Sequence, residues 1–202
     1  LQAQTQNSMT EVIPFKTIDG KIIVEVIVNG EPADFVLDLA GHNALLPEAV
    51  KRLHINTKKN GSFKSYDDFV FKKVPVENVY EIETLAIGNN TFSNNLPVFI
   101  LKEEPYLRKL GVEGILNSSL FRSSVLTIDL KRKKLTITQP YRPSYIKLNY
   151  RSDFDIVTGL GAVCPISIQG KSVSFVLDTW NENIINLSLI HISEPTRLLS
   201  IS

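Results

Sequence analysis

Val26-Ile27-Val28-Asn29-Gly30-Glu31-Pro32-Ala33-Asp34-Phe35-Val36-Leu37-Asp38 and Ile166-Ser167-Ile168-Gln169-Gly170-Lys171-Ser172-Val173-Ser174-Phe175-Val176-Leu177-Asp178 are one pattern written twice without a gap. The offset is constant (178 − 38 = 140), and Asn43 and Asn183 keep it beyond the aspartates. In the first copy a β-branched arm meets the turn dipeptide Asn29-Gly30, and Ala33 to Leu37 returns as the second arm of a hairpin. One strand ending in an aspartate is commonplace, because the carboxylate accepts local backbone bonds in its own turn. Two copies predict a duplicated unit that brings two carboxylates together, an arrangement that activates water without a metal.

The two ends of the chain are set apart from this pattern. Leu187-Ser188-Leu189-Ile190-His191-Ile192-Ser193-Glu194-Pro195-Thr196-Arg197 reads codon for codon as a translated transposase-type sequencing adapter. Residues 187–202 are therefore expected to carry no fold information, and His191 leaves any catalytic argument. The second copy is then truncated soon after its aspartate. At the other end, Leu1-Gln2-Ala3-Gln4 resembles the neighbourhood of a signal-peptide cleavage site. Residues 1–11 are expected to be an exported N-terminal remnant, which points to a periplasmic or extracellular protein.

Composition narrows the classes of function. Hydrophobic residues make up 43% of the 202 and charged residues 21%, so a packed core is expected. A net charge of +1 with interleaved signs argues against a nucleic-acid partner or a membrane surface selected by charge. No run reaches membrane-spanning length. The dense basic run Lys131-Arg132-Lys133-Lys134 lies between apolar strands and reads as a solvated hairpin turn. Cys164 is the sole cysteine, which excludes a disulfide framework and a cysteine-rich metal site, and it reads as a small core residue. His42 and His54 have no partner at ligand spacing.

Elsewhere the signals are mostly those of strands. Phe69-Val70-Phe71, Tyr80 to Ile87, Leu96 to Leu101, Val125 to Ile128 and Lys134 to Thr138 are strand candidates. Gly88-Asn89-Asn90 supplies a hairpin turn. Pro47 to Leu53 and Pro105 to Leu110 read as short helices opened by proline. Short strands, few helices and regular turns predict an all-β sandwich or barrel. The expected organisation is a first unit over 12–140, a linker over 141–154 and the start of a second unit over 155–186.

The hairpin leading into Phe35-Val36-Leu37-Asp38 resembles the first signature of the retropepsin-like and pepsin-like aspartic proteases. Val112-Glu113-Gly114-Ile115-Leu116-Asn117-Ser118-Ser119-Leu120-Phe121 followed by Val125 to Asp129 resembles the second, and Lys133 to Ile137 the terminal strand. Phe175-Val176-Leu177-Asp178-Thr179 opens the next copy. The resemblance implies an all-β, retropepsin-like closed barrel with crossing loops and short helices, followed by a truncated second copy. It implies Asp38 and Asp178 as a catalytic pair that shares one proton, acts on a peptide or protein substrate, and uses no metal or cofactor. It also implies a flap hairpin, placed at Gly61 to Phe71, and pairing of units within the chain or as a homodimer.

Four residues in three segments depart from the pattern. Leu39 and Ala40 follow Asp38 where the family has threonine and glycine, Trp180 stands at the glycine position after Asp178-Thr179, and Asn117 replaces the glycine of the second signature. Leucine has no hydroxyl to bond across the pair, Ala40 adds a methyl group, and Trp180 needs a large pocket. Asparagine tolerates positive φ at the third position. Three functions are therefore carried forward: an aspartic-type endopeptidase, a catalytically inactive peptide-binding relative, and a structural β module.

Overall fold

The computed structural model describes residues 9–67, 70–101, 104–139, 147, 153–157 and 161–180. Residues 1–8, most of the expected linker, and the adapter-like tail lie outside the described residues, as do Phe69, Asn183 and His191. The fold is all-β, with two short helices and one 3-10 turn among the described residues.

The strands are β1 (Met9–Pro14), β2 (Lys16–Ile18), β3 (Lys21–Val28), β4 (Glu31–Asp38), β5 (Ala44–Leu45), β6 (Asn56–Asp67), β7 (Val70–Ile87), β8 (Asn90–Ile100), β9 (Gly114–Asn117), β10 (Val125–Asp129) and β11 (Lys134–Gln139). A separate sheet holds β12 (Asp155–Val157), β13 (Gly161–Ile168) and β14 (Lys171–Val176). Helices α1 (Pro47–Arg52) and α2 (Pro105–Leu110) each begin on the expected proline, and α2 stops at Gly111 in the left-handed conformation.

The main sheet runs β2-β3-β4-β9-β5-β8-β7-β6, and an additional β3–β7 pairing closes β3 through β7 into a barrel. Closure removes exposed sheet edges over that span. Its chirality-bearing feature is the parallel pairing of β4 with β9, while β5 lies antiparallel to β9 and parallel to β8. Strands β4, β9 and β5 are thus neighbours in the sheet, with Asp38 at the end of β4. Gly114 permits the close approach of β5 to β9: a Cβ there would stand 2.0 Å from the Ala44 carbonyl oxygen.

Period-two alternation fills the barrel. On β4, Ala33, Phe35 and Leu37 join the main core, while Val36 points the other way, into a smaller cluster with Ile23, Leu46, Leu107, Leu110 and Val112. The β1-β11-β10 sheet contributes Ile13, Leu135 and Ile137 to the main core. The basic run forms the β10–β11 turn, where Arg132 donates to Asp129 from both backbone and guanidinium. Two expected strand candidates, around Val70 and from Tyr80 to Ile87, belong to the one strand β7. It pairs with β6 from Asn56↔Glu81 to Asp67↔Val70, so the hairpin expected near Gly61 to Phe71 is present and long.

The second hairpin reproduces the first. Strands β13 and β14 pair from Val163↔Val176 to Ile168↔Lys171, and β3 and β4 pair from Ile23↔Val36 to Val28↔Glu31, each partner displaced by 140. Both turns place two residues at positive φ, Asn29-Gly30 in one and Gln169-Gly170 in the other. The environments differ. Val26 and Leu37 are 1% exposed, whereas their counterparts Ile166 and Leu177 are 45% and 49% exposed. Cys164 is half-buried on β13 rather than in the core, and desolvation pushes its thiol pKa up. No helix among the described residues is long and apolar enough to cross a membrane.

Candidate active site

Asp38 occupies the last position of β4, and the register sets Asn117 of β9 beside it. The carboxylate is buried, and its Oδ1 accepts a hydrogen bond from the Ala40 amide at 3.0 Å. Burial raises its pKa from 3.8 to about 6; the charge of Asp178 adds to the rise, and the bonds from Ala40 and Thr179 oppose it.

The loop after Asp38 is fixed on every side. Ser118 Oγ donates to the Leu39 carbonyl at 2.8 Å, and Asn117 Nδ2 donates to the Gly41 carbonyl at 2.7 Å. Asn43 Oδ1 accepts from the Asn117 amide at 2.9 Å. Asn117 also accepts at Oδ1 from the Ser119 amide and so caps the 3-10 turn. Its φ is −104°, so the asparagine serves there as a cap and a strut; tolerance of positive φ is not what the position uses.

The second aspartate arrives on the loop after β14. Its neighbour Thr179 bridges the two loops: Oγ1 accepts from the Leu39 amide at 3.0 Å, donates to the Leu37 carbonyl at 3.0 Å, and lies 3.4 Å from Asp38 Oδ1. One hydroxyl thereby satisfies a donor and an acceptor that flank Asp38 along the chain. Asp178 itself is exposed, and its Oδ1 accepts from the Trp180 amide at 2.8 Å. That turn copies the one at Asp38, since Ala40 and Trp180 are again 140 apart.

Two contacts between the loops exchange under the same offset. Ala40 forms an antiparallel bridge with Gly161, and Lys21 Nζ donates to the Trp180 carbonyl. Adding 140 to Ala40 gives Trp180, and subtracting 140 from Gly161 gives Lys21. Leu39 and Thr179, which hydrogen-bond to each other, are likewise equivalent positions. The Thr179 bond to the Leu37 carbonyl has no counterpart, because Leu39 carries no hydroxyl.

Two residues at this junction escaped sequence reasoning. Gly161 has φ +98°, and a Cβ on it would stand 2.1 Å from the Leu39 carbonyl oxygen and 2.7 Å from Ala40 Cα. The freedom from Cβ that Ala40 lacks is supplied by the residue facing it. Lys21, buried despite its charge, spans to the Trp180 carbonyl and lies over the indole at 5.3 Å. Both begin the first long strand of their hairpin, and comparing positions 21 and 161 in the repeat would have singled them out.

Trp180 does not crowd the carboxylates. Its ring packs against the smaller apolar cluster beside α2 and meets Tyr106 edge-on, with centroids 5.5 Å apart. His42, by contrast, stands edge-on to Phe99, and His54 lies at positive φ just beyond α1.

No family model matches the chain, and no curated protein sequence matches it significantly. Among solved structures it is similar to a retropepsin-like aspartic protease from Rickettsia conorii, with 18% identity and a TM-score of 0.41. The similarity covers 68% of this chain and 96% of that one.

Proposed function

We propose that this chain is an aspartic-type peptidase in which Asp38 and Asp178 share one proton and activate a water molecule against a peptide carbonyl. The observation that carries this reading is the Thr179 bridge, which ties the loop of one aspartate to the backbone on both sides of the other.

The chemistry follows from the asymmetry of the pair. Asp38 is buried and its pKa stands near 6, so below that pH it holds the shared proton. Proton acceptance then falls to the exposed Asp178. Asp178 takes a proton from water as the oxygen attacks the carbonyl carbon, and the Asp38 hydroxyl donates a hydrogen bond to the developing oxyanion. Collapse of the tetrahedral intermediate breaks the C–N bond, and the leaving nitrogen takes the proton that Asp178 gained. The proposed substrate is an extended peptide, and the long β6–β7 hairpin is the proposed cover.

The deciding experiment is cleavage of a mixed peptide set between pH 4 and 7 by the chain and by its Asp38→Asn and Asp178→Asn variants. Cleavage lost in each variant supports the assignment; unchanged cleavage in Asp38→Asn overturns it. A second reading is favoured by Leu39, which gives the pair a bridging hydroxyl from one side only: a non-catalytic cleft that binds peptides. It predicts peptide binding that survives Asp38→Asn with no turnover in the unsubstituted chain.

A further inference from the structure

Trp180 is the residue that departs furthest from the expected pattern, yet it is among the best-anchored at the junction. Its side chain packs against the smaller apolar cluster and its indole meets Tyr106 of α2 edge-on. Its carbonyl accepts from the buried Lys21 ammonium, which also faces the ring at 5.3 Å. Its amide donates to Asp178 Oδ1 at 2.8 Å, and the preceding residue is the bridging Thr179. Every polar group of the Trp180 backbone is thus committed either to the barrel or to the second aspartate.

We propose that Trp180 is the positioning residue for Asp178: the indole is held against Tyr106 and the smaller apolar cluster, Lys21 clamps the carbonyl, and the amide then holds the carboxylate in one orientation. The inference rests on the paired-aspartate reading for its catalytic meaning, but the latch itself is a structural claim. Its physical basis is economy of freedom. Leu39 provides no hydroxyl to hold the pair from the first loop, so the second loop carries the restraint, and a large rigid ring buried on one side restrains it better than a glycine could. Ring and carboxylate are joined by only two residues, so a shift of the ring is passed to the carboxylate with little slack. A misplacement of about 1 Å is worth on the order of a hundredfold in rate.

Trp180 is the only tryptophan in the chain, so its fluorescence reports on the latch alone. The experiment combines acrylamide quenching of Trp180 with hydrogen exchange at residue 180 and peptide kinetics, in the unsubstituted chain and in Lys21→Met, Trp180→Phe and Trp180→Ala. The expected results are an indole quenched less than free tryptophan, with quenching increased by Lys21→Met. The amide at 180 should be protected in Trp180→Phe and unprotected in Trp180→Ala. Trp180→Ala should lower kcat by roughly tenfold to a hundredfold with KM within about threefold, and Trp180→Phe should recover most of that loss. Quenching equal to that of free tryptophan, or an amide equally protected in both position-180 variants, overturns the latch whether or not the chain cleaves peptides. Absence of cleavage by the unsubstituted chain, with the indole protected, removes the peptidase reading and leaves the latch standing. An unchanged kcat in Trp180→Ala, alongside cleavage by the unsubstituted chain, overturns the positioning role.

Discussion

Thr179 and Leu39 occupy the same position of the two repeated segments (179 − 39 = 140) and face each other, hydroxyl to amide, across 3.0 Å. The threonine does alone what a symmetric pair of hydroxyls would share. Removing it in Thr179→Val preserves shape but leaves the Leu39 amide and the Leu37 carbonyl without their partner. The expected cost is about 1–3 kcal/mol, felt at the junction between the hairpins. Faster hydrogen exchange at Leu39 in Thr179→Val, with Thr179→Ser close to the unsubstituted chain, is the outcome to look for. Equal exchange in all three would mean that the hydroxyl holds nothing.

Asp38 makes stability depend on pH. Its pKa rises from 3.8 to about 6 on folding, so the folded state binds the proton more tightly than the unfolded chain does. The contribution is fully present below about pH 4, is lost as pH rises through about 6, and is flat above. A shift of that size corresponds to about 3 kcal/mol. Asp38→Asn keeps an acceptor for the Ala40 amide but removes the titration. Its melting temperature should lose the decline between pH 4 and 6 and exceed that of the unsubstituted chain at pH 7. A parallel decline in both proteins would show that another group drives it.

The parts of this architecture legible in the sequence are those fixed by neighbours along the chain. The Asn29-Gly30 turn, the proline starts of α1 and α2 and the return arm from Ala33 to Leu37 each depend on local backbone preference, and each stands where expected. What escaped depends on approach in space. Gly161 matters because the Leu39 carbonyl passes 2.1 Å from where its Cβ would be, which no local pattern encodes. Trp180 reads in sequence as needing a large pocket where the family has open backbone, but it packs on an apolar cluster that only the folded chain assembles from β3, β4 and α2. Asn117 looked like a substitute for glycine and is instead a hydrogen-bonding strut, because its side chain reaches Gly41 and Ser119 at once.

Identical positions in the two hairpins should respond unequally to the same change. Leu37 is 1% exposed within the barrel core, and Leu177 is 49% exposed beyond β14. Leu37→Ala should cost about 2–5 kcal/mol through lost burial and a cavity. Leu177→Ala should stay within about 0.5 kcal/mol, as surface substitutions do. Denaturant midpoints of the two variants test this directly. A large loss for Leu177→Ala would mean that its face is covered in solution.

The bridge between Ala40 and Gly161 leads to the sharpest structural test, because one methyl group should separate the two hairpins without unfolding either. At Gly161 the backbone has φ +98°, and a Cβ would meet the Leu39 carbonyl oxygen at 2.1 Å. Neither conflict is relieved by moving a flexible side chain, since both involve backbone. Gly161→Ala should therefore push β13 off the Asp38 loop, at a cost of about 1–3 kcal/mol for the strained conformation alone. The barrel core contains no atom of Gly161, so its melting temperature should change little. Limited proteolysis should cut within 153–180 faster than in the unsubstituted chain, and the Asp38 pKa should fall as its loop becomes wetter and the charge of Asp178 recedes. A Gly161→Ala protein with unaltered protease resistance and an unaltered Asp38 titration would show that β13 does not rest on Ala40.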